Sequence, residues 1–535
     1  MRREERKKAR ERLEREQGTV FKDWGGKLPV ALIYPNSYYV GMSNLGFQAV
    51  YRLFNSHKNI VCERFFVERA DPGRKPLNLS LESQRPLKDF SILAFSVTFE
   101  LDYFNIVQTL KDSGIPLYSN KRGDNHPLVM AGGPCIMANP APIAPFFDLF
   151  CIGEAEALLP SVISVLSKGV GSGRRELLEA LAEITGVYVP LYHSGEPVAR
   201  QWVKDLDSFP VTSAILTPDT EFGNLYLLEV ERGCSHACRF CLVGTAFSPM
   251  RFRSKERLIE QAREGLGYRK RLGLIGPVVS DYPGLDGLLD ELLDMGAGLS
   301  LSSLRARPLP ERLIEQVARG GARTITVAPE AGSERLRQVV KKGITEDDIL
   351  KAVDRVSREK RIRQLKLYFM IGLPSETEED IEEIVNLALR CKHILDRGGT
   401  GCRLELKLAP FVPKGGTPFQ WLPMTSRDVL GRRLSILRRA LLSRGVRIGV
   451  ESLAWSEVQG VLARGGEKVA EVLAGTDSVS LSGFKMAAER CHLAYDFYVY
   501  QRWDTTQELP WSIVDSGIEV EKLKAELSKS LLLGK

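Results

Sequence analysis

Residues 231–241 read ERGCSHACRFC, and three of the nine cysteines of the chain, Cys234, Cys238 and Cys241, fall there in the spacing C-x-x-x-C-x-x-C. A short loop with this spacing turns three thiolates toward one iron-sulfur cube and leaves the fourth iron without a protein ligand. A closed zinc site or a ferredoxin-type cluster asks for four ligands. The nearest spare candidate, His236, lies inside the loop and points away from a cube held by its neighbours. The reading is therefore a cluster with an open iron, built for chemistry and not for structure alone.

Outward from this loop, short apolar runs alternate with amphipathic ones, the pattern of a parallel sheet with crossover helices. Strands are predicted at Leu225 to Val230, Leu272 to Ser280, Leu299 to Leu304, Thr324 to Pro329, Leu365 to Leu373 and Leu404 to Phe411. Helices are predicted between them at Lys255 to Tyr268, Leu285 to Met295, Glu311 to Arg319, Glu346 to Glu359 and Glu378 to His393. Ser254, Thr345 and Thr377 stand where caps belong. Six strands suffice for a partial (β/α)6 barrel of the TIM type, with ligands at the C-terminal strand ends. The cysteine loop follows the first strand and so sits at that end.

The triad, with the aromatic Phe240 just before its last cysteine, resembles the signature of the radical SAM superfamily. That resemblance implies a [4Fe-4S] cluster whose open iron takes S-adenosylmethionine, reductive cleavage to a 5'-deoxyadenosyl radical, and an external one-electron donor such as a flavodoxin or ferredoxin. The protein's part is to hold the cofactor in place. Four further strand ends carry candidate contacts: Ser280 and Asp281 for an ammonium or hydroxyl, Ser303 and Arg305 for a ribose or carboxylate, Glu330 for ribose hydroxyls, and the turn beginning at Gly372 for the adenine. The first of these departs from the family pattern, because VVSDYPG stands where many members carry Gly-Gly-Glu.

Residues 30–155 have their own strand rhythm, VALIYP, NIVCERFF, SILAFSVTF, PLVMAGGP and DLFCIGEAE, expected of a doubly wound, flavodoxin- or Rossmann-like parallel sheet. Ser96 ends its third strand, Gly132 and Gly133 lie in AGGPCIMANP, and Gly153 and Glu154 begin GEAE. Together with the barrel behind it, this third resembles the cobalamin-binding domain of one class of radical SAM enzymes. It lacks the D-x-H-x-x-G that often supplies a lower axial histidine: the first strand is followed by NSYYVGMSNLG, and the Asp124-Asn125-His126 turn precedes the fourth strand without the glycine. If cobalamin binds, no histidine is expected beneath the cobalt.

The whole divides into a charged helix (1–27), a cobalamin-binding-like domain (28–168), a linker with a hairpin (169–222), the barrel (223–415) and a mainly helical cap (416–535). No apolar run spans a bilayer and the start, MRREERKKARERLEREQG, has no signal-peptide core, so a cytoplasmic protein is expected. Six other cysteines, Cys62, Cys135, Cys151, Cys391, Cys402 and Cys491, sit mostly in apolar surroundings as core residues. Net charge is +7, too mild by itself to call for nucleic acid, although Arg432, Arg433, Arg438, Arg439, Arg444 and Arg447 gather around one amphipathic helix. The expected function is methylation of an unactivated carbon or a phosphorus centre. Two other readings are a methylthiotransferase-like enzyme acting on tRNA or protein, and a non-catalytic iron-sulfur redox protein. The first usually brings a second cysteine set and a small all-β domain, and the second needs a fourth cluster ligand.

Overall fold

The apolar runs of the first third form one sheet in the computed structural model, which describes residues 2–68, 78–169, 171–302, 304–307 and 309–534. Its strands are β1 (Leu28–Tyr34), β2 (Ile60–Phe66), β3 (Ile92–Ser96), β4 (Leu128–Gly132), β5 (Leu149–Cys151) and β6 (Val187–Tyr188), in the order β2-β1-β3-β4-β5-β6. The first five are parallel and β6 is an antiparallel edge. Parallel strands are covered on both faces, which is why β1 reads as an unbroken apolar run. Val30 and Leu32 face one helical layer, while Ala31 and Ile33 face the other. β1 and β3 are neighbours although β2 separates them in the chain, so the crevice of a doubly wound sheet opens at their C-terminal ends.

The expected hairpin between Val187 and Asp205 does not form. β6 extends the first sheet, and β7 (Val198–Ala199) pairs in parallel with a strand near the C-terminus, Val514–Asp515. A two-residue strand has no periodicity of its own, so its partner is chosen by tertiary packing.

The chain then enters β8 (Tyr226–Glu229), β9 (Glu231–Arg232), β10 (Arg251–Phe252), β11 (Arg271–Ile275), β12 (Gly298–Leu301), β13 (Thr324–Glu330), β14 (Gln364–Ile371), β15 (Arg403–Pro410), β16 (Arg447–Val450) and β17 (Val514–Asp515). β12-β11-β8 and β13-β14-β15-β16 are parallel sheets joined by a bridge from Leu304 to Val327. They make a partial barrel with one strand beyond the six expected. β16 escapes sequence reading because RIGV is short and carries an arginine and a glycine. Helices lie outside the barrel, and Leu365, Leu367, Phe369 and Ile371 of β14 join their core while the alternate residues face inward. The caps at Ser254 and Thr345 are present, each accepting a backbone N–H three residues on.

Gly153 shows how the two halves meet. Its φ is +140°, and a Cβ would stand 2.1 Å from the Gln201 carbonyl oxygen. Gly153→Ala is expected to destabilise the fold by about 2–3 kcal/mol, read as a lower urea midpoint.

Candidate functional site

The cysteine loop is shaped by a return of the chain on itself. β9 pairs antiparallel with β10, and the cysteines lie on the excursion between them. Gly233 begins it with φ +83°, and a Cβ there would meet the Phe247 and Pro249 carbonyl oxygens at 2.4 and 2.6 Å. Ala237 also has a positive φ, 50°. Arg239 anchors the loop from inside: its guanidinium donates to the Gln338 and Val339 carbonyls at 2.9 and 2.8 Å and to Glu526 of the last helix at 3.1 Å. Phe240 packs against a cluster containing Trp503 and Trp511. The three thiols between these anchors are free and half-buried.

Residues named from the other strand ends surround them. Asp281, Arg305 and Glu231 lie close enough to act on Cys234, while Lys342, Glu330 and Arg305 act on Cys238. Burial pushes the Cys238 thiol up to about 11 and raises the other two, so each needs a positive neighbour or a metal to stand as a thiolate. Asp281 is within 2.5 Å of His236, Ser280 Oγ accepts the Arg305 backbone N–H at 3.2 Å, and Arg305 donates to the Lys342 carbonyl at 2.9 Å. Lys342 in turn meets Glu330 at 2.9 Å, and Glu330 holds a positive φ of 69°. Three loops are thus tied into one wall beside the cysteines. Ser303 lies outside the described residues. Gly372 (φ +78°) tops β14, its N–H bound by Glu376 at 2.6 Å and Glu376 bound by Arg433 at 2.6 Å; it packs against Leu430 and Thr425. Among the described residues no three His, Cys, Asp or Glu side chains converge on a single ion, and a cube asks for none, since each thiolate takes a different iron.

A cavity of about 790 Å³ opens between the strand ends of the first sheet and those of β8, β11 and β12. Ser96, Gly132 and Gly133 line one side; Gly233, Gly276 and Ser302 line the other. Most of its wall is apolar, with Leu45, Val50, Met137, Phe209 and Phe247, and no histidine is among the described lining residues. His126 sits at the opposite end of the sheet, accepting the Gly123 N–H at 3.0 Å in a local turn. Gly133 is required by the chain itself, since a Cβ would lie 2.4 Å from the Val97 carbonyl; at Gly132 the nearest atom would be 3.7 Å away, so only Gly132 leaves room. Glu154, expected as a ligand contact, lines this cavity and is also engaged by Arg251 at 2.6 Å, by Arg232 at 2.9 Å and by the Val203 N–H at 3.0 Å, contacts that clamp the two halves together.

Glu231, which sequence reading passed over although it opens the quoted motif, also lines the cavity. Its Oε1 accepts the Val278 N–H at 2.5 Å, and its Oε2 is buried without a partner. Desolvation, with Asp281 adding to it, pushes this carboxyl to about 7, against the Val278 hydrogen bond. Because the folded value lies above the ordinary 4.5, the protonated form is the one burial favours. The associated stability is present below the unfolded value and is lost as pH rises through about 7. Glu231→Gln, which does not titrate, is expected to gain on the wild type by on the order of 2–3 kcal/mol between pH 5 and 8, measured by urea denaturation at both.

Residues 228–388 match the family model described as the radical SAM superfamily, and residues 46–190 match that of radical SAM proteins, N-terminal. The chain belongs to the radical SAM superfamily and is a radical SAM enzyme. Within it, the chain is 33% identical over 449 residues to the uncharacterized protein MJ0966 of Methanocaldococcus jannaschii, a match covering 83% of this chain and 90% of that one, and it belongs to the same family. A tRNA-2-methylthio-N(6)-dimethylallyladenosine synthase of Geobacillus thermodenitrificans is 27% identical over 210 residues, 37% of this chain and 39% of that protein. Among solved structures, the radical S-adenosylmethionine methyltransferase TsrM of Kitasatospora setae, with cobalamin and a [4Fe-4S] cluster bound, aligns at TM-score 0.48 and 14% identity over 74% of each chain. The cobalamin-dependent radical enzyme OxsB, with aqua-cobalamin and S-adenosylmethionine, aligns at TM-score 0.49 and 14% identity over 95% of this chain and 79% of that one. No helix of the described residues is long and apolar enough to cross a membrane.

Proposed function

We propose that this enzyme is a cobalamin-dependent methylase of an unactivated carbon or a phosphorus centre. The observation that carries the reading is the largely apolar cavity at the crevice of the doubly wound sheet, bordered by Gly233 and Val243 on either side of the cysteine loop. A corrinoid held there would rest on the residues of the first sheet's strand ends, beside the cysteine loop. When bound, the cluster and S-adenosylmethionine supply the 5'-deoxyadenosyl radical and the corrinoid supplies a methyl carrier.

The chain's own residues do the rest. Cys234, Cys238 and Cys241 hold three irons, and Phe240 and Arg239 keep the loop from shifting. Asp281 and Arg305 hold the amino and carboxyl groups of S-adenosylmethionine, Glu330 its ribose, and the turn at Gly372 its adenine. The wall at Ser96 and Gly132 would receive the corrinoid. An external flavodoxin or ferredoxin supplies the electron.

Anaerobic reconstitution with iron, sulfide and hydroxocobalamin, followed by gel filtration and an absorption spectrum, tests the reading. Near one cobalamin per chain is expected. None retained beside an intact cluster would overturn the methylase reading and leave the first sheet a scaffold.

A further inference from the structure

The inner face of the barrel is cationic on the β14–β16 side. The outer residues of β14 and β15 are buried under helices, so the alternate residues face the barrel interior. The register sets Lys366 beside Glu405 and Glu405 beside Arg447, and one row further on Tyr368 beside Lys407. Glu405 is the single carboxylate in these rows, and Lys407 and Gln364 bind it at 2.7 and 2.6 Å. Two of the three cations around it therefore have charge to spare. Tyr368, at 42% exposure, stands open on the same face.

A second cationic stretch lies in the outer helical layer, beside the edge strand β16. The helix Arg427–Leu441 buries Leu430, Leu434, Leu437 and Leu441 and turns Arg432, Arg438 and Arg439 outward; Arg444 follows it, exposed, three residues before Arg447. Among the described residues none of Arg432, Arg438, Arg439 and Arg444 has an ion-pair partner. Some exposed cations of the outer helices do, as in Arg358 with Asp354 and Arg390 with Glu346. Arg433, the exception, turns inward to Glu376. The start of this helix lies against Gly372 at the cofactor end, so its last turns lie at the far mouth of the barrel. Arg432 to Arg439 covers about 10 Å of helix axis.

We propose that this surface binds a single strand of nucleic acid, its phosphates on Arg438, Arg439 and Arg444 and its chain passing over Arg447 and Lys407 so that a base stacks on Tyr368. Guanidinium groups suit phosphate, and an exposed aromatic beside a cationic track is how unpaired bases are held. Arg447 and Lys407 stand on successive inward rows, Lys407 the nearer to the C-terminal strand ends. An acidic protein partner would use the same cations and has no use for the tyrosine. The binding is independent of the corrinoid reading and is measured on the full chain with or without cobalamin.

Fluorescence anisotropy of short labelled single-stranded RNA and DNA over a salt series is the test, the two probes separating the sources of the strand. Three neutralised phosphates give a log-log salt slope of about −2. Arg438→Glu with Arg439→Glu is expected to weaken binding at least about tenfold and flatten the slope. Tyr368→Ala should weaken it several-fold and leave the slope unchanged. Arg175→Glu, a surface reversal in the helix Arg174–Ala182, should change neither. These substitutions are exposed, and circular dichroism verifies the fold. Binding that is indifferent to the double reversal, or that polyglutamate reproduces in place of the oligonucleotide, would overturn the proposal.

Discussion

Alanine at any one of Cys234, Cys238 or Cys241 is expected to bring the iron and acid-labile sulfide of the reconstituted protein from about four of each per chain to near zero. With them should go the broad visible absorption of the cluster and all dithionite-dependent formation of 5'-deoxyadenosine. The size of the effect follows from the geometry. The loop holds three thiols and is anchored between the second and third by Arg239 and Phe240, and the other six cysteines all lie outside it. His236 is turned to Asp281. The fold should survive, because the cysteines are half-buried in a loop whose anchors remain. Cys491→Ala, at a half-buried cysteine of the cap, is the control and should retain full iron. A triad variant that keeps both its iron and its deoxyadenosine formation would remove the assignment.

Ser96→Trp is expected to lower bound cobalamin from near one per chain by at least about tenfold while iron, sulfide and deoxyadenosine formation stay near the wild-type level. Ser96 ends β3, lines the cavity and has a half-buried side chain, so the larger ring enters the cavity and not the packed face of the sheet. The pairing of the two experiments separates the sites: cysteine variants lose the cluster and keep cobalamin, and the Ser96 variant does the reverse. Equal cobalamin retention by Ser96→Trp would place the corrinoid elsewhere or nowhere.

The strand ends illustrate how far residues speak before packing is known. Asp281, Arg305 and Glu330 were named from their places after successive strands, and the structure brings all three within electrostatic reach of the cysteines. Lys342, which joins Glu330 to Arg305, was not named, because it stands in a loop between two helices with no pattern around it. Glu154 reads as a contact from its position beside Gly153; it lines the cavity, and its oxygens also meet arginines from another part of the chain. A carboxylate free for a ligand and one locked by guanidinium groups look alike in sequence. Glu231 is the opposite case: Val278 engages its Oε1 and leaves its Oε2 buried without a partner, which no local pattern announces.

Local chemistry determined the cysteine spacing, the alternation of strand and helix, the caps and the two-sided apolar strands. Each depends on neighbours within a few residues, so the open-iron cluster loop and the two α/β units were legible from the sequence. Tertiary structure alone decided that β7 pairs with β17 and not with β6, that β16 adds a strand, that the last helix fastens the cysteine loop through Glu526, and that the two sheets enclose one cavity between their C-terminal ends. The physical reason is range. Backbone propensity and side-chain periodicity are short-range, whereas edge pairing, buried ion pairs and the volume left between two units depend on segments up to hundreds of residues apart that meet only when the chain is folded.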